Sequence, residues 1–276
     1  MSNQEVDNAF QIPDELWEEI VSLLPPEKVK IKAGRPRMED RQAMNAIFYK
    51  LRTGIHWNAL PKSLGASSTV HDRFQEWQNA GVFKQMWQTG VIKYDEVKGI
   101  EWEWQIIDAC ITKSPLGGEA TGPNPVDRAK SGTKRSLLTD GRGVPLGLVV
   151  AGSNRHDMKL TESTLESTIV ERPPVTEEAP QNLCLDKGYD YPQVDTIIDQ
   201  YGYTGHISRR GEDTQMRQQI PGYRSRRWVV ERTHSWMNRF RSLLIRWEKK
   251  VANHLALLHF ACAWISFRAA GVIKTA

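Results

Sequence analysis

No stretch of this chain approaches the roughly 18 to 20 consecutive apolar residues that a membrane-spanning helix requires. Its first ten residues, MSNQEVDNAF, are polar. Neither a membrane anchor nor a signal peptide is therefore expected, and the sequence reads as cytoplasmic. Cysteine is scarce: Cys110, Cys184 and Cys262 share no CxxC spacing and are odd in number. That excludes a disulfide framework and a zinc ribbon, leaving reduced core thiols. Internal repeats and low-complexity tracts are also missing, which removes solenoid and disordered classes. What remains, at 276 residues with 39% hydrophobic and 25% charged, is a globular chain sufficient for one large domain or two modest ones.

Net charge is low, at +4, but it is unevenly placed. Residues 201–250 hold twelve Lys/Arg against four Asp/Glu, a surplus of +8, so the other 226 residues sum to −4. A positive field gathered on one part of the surface points to a polyanion partner. A solvated helix face, the plainer alternative, fits RSRRW and NRFR less well.

From about residue 12 to 98, apolar residues recur every three or four positions, which predicts helices. Trp17, Ile20 and Leu23 form one stripe; Pro25-Pro26 ends that helix, and a later one carries Ala43, Ile47 and Leu51. Between them lies the basic connector KVKIKAGRPR, whose Arg35 and Arg37 suit an A·T-rich minor groove or simply a flexible linker. A short helix near Leu60 to Leu64, Gly65, then a helix capped by Ser67 or Ser68 with Val70, Phe74 and Trp77 on one face make a helix-turn-helix pattern. Its outward positions, Thr69, His71, Arg73 and Gln75, are candidates to touch DNA, with a simple packing hairpin as the competing reading.

Beyond Trp102 the pattern changes to short strands, at Trp104–Thr112, Ser136–Thr139 and Val144–Ala151, the last two joined across Asp140-Gly141-Arg142-Gly143 as a hairpin. Then follow a helix over His156–Thr168, the exposed connector ERPPVTEEAP, a strand at Asn182–Leu185, a helix at Tyr191–Tyr201 and a strand near Thr204–Ser208. A polar loop to Arg224 and helices near Arg227–Arg246 and Val251–Ala269 complete the chain. This order predicts a mixed sheet covered by helices, an α/β layer architecture, behind an all-α helix-turn-helix-like domain. The boundary falls between residues 1–98 and 99–276.

Asp108 is the odd residue of the otherwise apolar IIDACIT, and a buried carboxylate costs several kcal/mol unless paired or metal-bound. Asp186 ends the strand LCLD just before the turn KGYD, where α/β sheets present ligands. Strand alternation gives these acids small uncharged neighbours, Cys110 and Cys184, and no basic one. The third acid, Glu231, lies beside the stripe Val230, Met237 and Leu244 of the basic helix, where Arg227 can pair with it as a surface salt bridge. Bringing three carboxylates together is repulsive, by roughly 4 kcal/mol per pair of bare charges about 4 Å apart at an effective dielectric near 20. Only a divalent cation makes such a cluster stable, and oxygen-only ligands favour Mg²⁺ or Mn²⁺ over Zn²⁺. Two such ions serve phosphoryl transfer on DNA. Arg224, Arg226, Arg232, Arg239 and Arg241 supply attraction for the phosphate backbone.

Asp108 in IIDACIT, Asp186 in LCLDKGYD, Glu231 in VVERTHSWMNRFR, and the stretch SGTKRSLLTDGRGVPLGLVVAGSNRHD resemble the DDE transposases of bacterial insertion sequences, in the group named after insertion sequence five. GRPR, WNALP and STVHDRFQEW resemble that group's helical domain. The likeness runs from Ile12 to about Arg268. It implies an RNase-H-like core, two Mg²⁺ ions for which Mn²⁺ substitutes, and terminal inverted repeats as substrate. It further implies strand transfer into target DNA within a homodimer or larger assembly, in a bacterial, nucleoid-associated protein. Two alternatives share these residues: a catalytically silent DNA-binding regulator and an RNase-H-like nuclease that cuts without joining. Related transposases of the insertion sequence four type carry Tyr-x2-Arg-x3-Glu-x6-Lys around the third acid. Here Arg227 and Glu231 fit, but Arg224 stands at the Tyr place and Asn238 at the Lys place.

Lys187 and Tyr189 are further candidates for substrate contact, since a loop after an active-site strand faces the ligand. His156-Asp157 and His234 could position DNA or water. His254 and His259, five apart, do not share a helix face, which argues against a metal pair.

Overall fold

The computed structural model describes residues 10–27, 36–207 and 226–274. The N-terminal helices are α1 (Asp14–Ile20), α2 (Asp40–Thr53), α3 (Ser67–Asn79) and α4 (Val82–Lys98). Helix α2 stops at Gly54, whose φ of 71° lets its N–H turn back to Lys50 O. The 3₁₀ turns Trp57–Ala59 and Lys62–Leu64 lead to α3. The expected Ser cap is absent: Ala66 holds the N-cap position without a side-chain hydrogen bond, and Ser67 is the first helical residue.

The sheet contains β1 (Trp104–Lys113), β2 (Gly122–Pro123), β3 (Ser131–Asp140), β4 (Pro145–Gly152), β5 (Asn182–Leu185) and β6 (Thr204–Ile207). β1 and β3 pair antiparallel, β3 and β4 form the expected hairpin, and β5 lies parallel to both β1 and β6. The order β4-β3-β1-β5-β6, with β2 extending β4's side of β3, is that of an RNase-H-like mixed sheet. Its remaining helices are α5 (Thr161–Glu166), α6 (Pro192–Gln200), α7 (Trp228–Asn238) and α8 (Val251–Ala269). No helix among the described residues is long and apolar enough to cross a membrane.

Helix α8 is apolar on nearly every face, so it must be buried all round. It packs along α4 and against β4, and one hydrophobic core runs from Ile12 through both helical and sheet layers to Ile273. A buried ion pair, Lys50 Nζ to Glu248 Oε1 at 2.6 Å, ties α2 to the segment before α8.

Two expected helices are shorter than their sequence pattern. Residues 157–160 form a 3₁₀ turn before α5. The basic helix ends at Asn238 because Phe240 and Leu243 turn into the core, leaving Leu244 exposed rather than on a buried stripe.

Candidate active site

The parallel ladder between β1 and β5 runs to the pair Ile106 and Cys184. Asp108 and Asp186 each lie two residues further along, Asp186 just past the carboxyl end of β5, where open sheets place their ligands, and Asp108 in the middle of β1, which runs on to Lys113. Asp186 also caps the 3₁₀ turn Lys187–Tyr189, its carboxylate accepting from Lys187 N–H. Glu231 sits in the first turn of α7, which packs over β1 and β3.

Arg227, at the α7 N-terminus, joins the acids. Its Nη1 lies 3.3 Å from Asp186 Oδ1 and its Nη2 lies 3.3 Å from Glu231 Oε1. The expectation that Asp186 lacks a basic neighbour is corrected here: its cation comes from 41 residues away. Burial raises the Asp108 pKa from 3.8 to about 6, against the opposing pull of the Ala109 N–H and Arg227 and with a further push from Asp186 and Glu231. Asp108 therefore feels both other acids.

Helix α7 is fixed to the β3–β4 turn. Thr233 Oγ1 donates to Gly143 O at 2.7 Å and Arg232 Nη2 donates to Arg142 O at 2.6 Å. The contact requires glycine: at φ 87° a Cβ on residue 143 would sit 2.8 Å from Thr233 Oγ1. Asp140 holds the turn's shape, accepting from Arg142 N, Val144 N, Glu101 N and the Tyr94 hydroxyl.

The donor set is three carboxylates, hard oxygen ligands suited to a divalent cation such as Mg²⁺ or Mn²⁺. Among the described residues no three His, Cys, Asp or Glu side chains are grouped tightly enough to hold a metal as they stand. Arg227 supplies the positive charge that Asp186 and Glu231 share. Arg227→Met is accordingly expected to raise Mn²⁺ affinity about tenfold, by releasing two partly exposed pairs worth about 0.5–1 kcal/mol each. The same change should weaken DNA binding. Calorimetric Mn²⁺ titration and a DNA-binding assay read the two opposite signs.

Asp108 makes a second prediction. Its folded pKa of about 6 lies above the 3.8 of the free side chain, so the folded state binds its proton more tightly. The stability this contributes is fully present below about pH 4 and is lost as pH rises through about 6. In EDTA at pH 7, Asp108→Asn should melt higher than the parent, by an amount corresponding to at most about 3 kcal/mol, and the difference should vanish near pH 4.

The other candidate residues are scattered. Arg35 and Arg224 lie outside the described residues. Arg37 pairs with Glu76 at 2.7 Å. Arg73, expected to point outward, is only 3% exposed and is held by Asp40 and Glu76. Its guanidinium lies over Trp77, where the aliphatic stem is buried and two carboxylates compensate the charge. Thr69 is exposed, and His71 packs edge-on against Trp57. Lys187 is exposed beside Asp186, but Tyr189 is 1% exposed, its ring in the core, so its side chain does not face a ligand. Arg226 stacks over Trp104 at 4.0 Å and Arg232 lies between Trp228 and Trp236. Arg239 and Arg241 are exposed past the end of α7.

Residues that the sequence reading passed over also meet here. Arg135 on β3 donates to His234 and Asn238, and Lys134 pairs with Asp157. The available signal was a Lys-Arg pair inside a strand that continues as SLL.

Comparison with known proteins matches residues 104–265 to the family model "Transposase DDE domain" and residues 12–87 to "Putative transposase of IS4/5 family". A "Putative transposase for insertion sequence element IS402" from Burkholderia cepacia is 33% identical over 155 residues, covering 54% of this chain and 69% of the relative. The "Insertion element IS402 uncharacterized 16.2 kDa protein" of the same organism is 31% identical over 118 residues, 41% of this chain and 80% of the relative. Among solved structures, the Mos1 mariner paired end complex with Mn aligns at 9% identity and a TM-score of 0.27, covering 79% of this chain and 81% of that one.

Proposed function

The chain belongs to the DDE transposase family, and from that premise we propose that it binds the terminal inverted repeats of its own insertion sequence, cleaves DNA there and transfers the freed strand to target DNA. The observation that supports this reading is the pairing of Arg227 with both Asp186 and Glu231, with Asp108 on the neighbouring strand two residues beyond the end of the β1–β5 ladder. The family implies divalent metal ions, and these three acids would hold Mg²⁺, or Mn²⁺ in its place. When bound, the ions supply the Lewis acidity that activates an attacking hydroxyl and stabilises the leaving oxygen of a phosphodiester.

The chain's own groups do the rest. Lys187 and Arg227 border the acids, and with Arg226, which lies over Trp104, they would hold the scissile phosphate and its neighbours. Arg232, Arg239 and Arg241 extend the basic track along and beyond α7. Arg227 has two duties, neutralising Asp186 and Glu231 before DNA arrives and turning to phosphate afterwards. Residues 1–98 would bind the ends, with Thr69 and His71 on α3 and the arginines of GRPR as contacts, since Arg73 is engaged internally. Two ends require two active sites, so a homodimer or larger assembly on DNA would be the working form.

The test is a supercoiled plasmid carrying the DNA that flanks the gene, incubated with purified protein and Mg²⁺. Joined products are expected. Nicks without joining would favour a nuclease, and binding that persists in EDTA without Mg²⁺-dependent nicking would favour a silent regulator. Affinity for end DNA should also fall steeply with salt, with a log–log slope of about −0.9 for each neutralised phosphate. A flat salt response in a filter-binding series would remove the basic track from the interface.

A further inference from the structure

Beneath Asp108 the fold buries a chain of polar groups that the chemistry above leaves unused. Arg135 is 1% exposed and pairs in register with Cys110, which puts it on the same sheet face as Asp108. Its Nη2 donates to Asn238 Oδ1 at 2.8 Å and its Nε donates to His234 Nδ1 at 3.3 Å. The other ring nitrogen, His234 Nε2, is buried without a hydrogen-bond partner and lies 3.9 Å from Asp108 Oδ2.

Packing alone does not call for this arrangement. A guanidinium among Cys110, Cys262 and the apolar sheet face carries a desolvation penalty of several kcal/mol, which a well-filled apolar side chain would avoid. Its geometry does settle the imidazole. Guanidinium only donates, so Nδ1 must accept, and the single proton of a neutral ring is left on Nε2, facing Asp108. An Nδ1 that accepts from Arg135 carries no proton, so the ring is neutral.

We propose that His234 is a positioning residue for Asp108: fixed by Arg135 as an Nε2–H donor, it holds one carboxylate oxygen and presents the other toward Asp186 and Glu231. The 3.9 Å separation must shorten to about 3 Å for this hydrogen bond to form. Asn238, at the place where the related pattern has Lys, anchors Arg135 from the end of α7. The relay thereby links the helix carrying Glu231 to the strand carrying Asp108. It rests on the reading that these acids bind a divalent ion, and outer partners of this kind tune metal affinity by about 10- to 100-fold.

The experiment is Mn²⁺ titration calorimetry on the full-length parent, Asp108→Asn, His234→Phe, His234→Gln and Asn238→Ala, each checked for cooperative melting. His234→Phe should bind Mn²⁺ at least about tenfold more weakly. His234→Gln should stay within about threefold of the parent, because its amide offers both a carbonyl to Arg135 and an N–H to Asp108. Parental affinity in His234→Phe, or equal loss in Phe and Gln, overturns the relay alone. Should His234→Phe fail to fold, Asn238→Ala decides, since residue 238 is exposed: weaker binding supports the relay and unchanged binding overturns it. A parent whose Mn²⁺ binding ignores Asp108→Asn overturns the metal site and the relay together.

Discussion

Asp186→Asn is expected to lower end cleavage and strand transfer by about a thousandfold or more, the equivalent of about 4 kcal/mol of transition-state stabilisation. The amide keeps the shape of the side chain and an acceptor for the Lys187 N–H that starts the 3₁₀ turn. What it loses is the charge shared with Arg227. That pair is partly exposed, with Asp186 at 39% and Arg227 at 30%, so its removal changes stability by less than about 1 kcal/mol. Activity and folding therefore separate in this variant. Labelled end DNA, with gel analysis of cleaved and joined strands beside a thermal melt, reads both. A folded variant that cleaves and joins like the parent would remove Asp186 from the site.

The second large effect is structural. Asp140 is fully buried and accepts hydrogen bonds from the Tyr94 hydroxyl and from N–H groups of Glu101, Arg142 and Val144. Asp140→Ala leaves several of these donors buried and unpaired, at about 1–3 kcal/mol each where water cannot enter. A total loss of about 3–5 kcal/mol follows, which for a chain of this size lowers Tm by roughly 10 °C. The turn that Asp140 shapes is also the seat of α7, through Thr233 and Arg232. Cleavage should then decline at temperatures where the variant is still folded, because Glu231 loses its fixed approach to the two aspartates. A melting curve within about 2 °C of the parent would show that this hydrogen-bond cluster contributes little, one degree being worth only a few tenths of a kcal/mol at this size.

Much of the architecture was readable in advance because its signals are local. The β3–β4 hairpin followed from the turn Asp140 to Gly143, and α8 from an unbroken apolar stretch whose observed bounds, Val251–Ala269, are those expected. β3 is longer than the expected Ser136–Thr139, because SGTKR begins the strand. Its polar side chains are buried only because distant partners satisfy them, Arg246 for Thr133, Asp157 for Lys134 and Asn238 for Arg135. The basic helix was overestimated for the converse reason. Its periodicity continues past Asn238, but Phe240 finds a better place in the core than on a continued helix.

The amino-acid order by itself determined most of the strands and helices, and it set one aspartate inside a strand, another at a strand end and a glutamate on a basic helix. These follow from repeats of two and 3.6 residues that any short window of chain carries. Only the folded arrangement decided that Arg227 stands between Asp186 and Glu231, that Arg73 turns inward, and that Arg135 meets His234 beneath Asp108. Such pairings join groups that no short window of sequence relates: strand register and the seating of α7 set the first and third, and the packing of α2 against α3 sets the second.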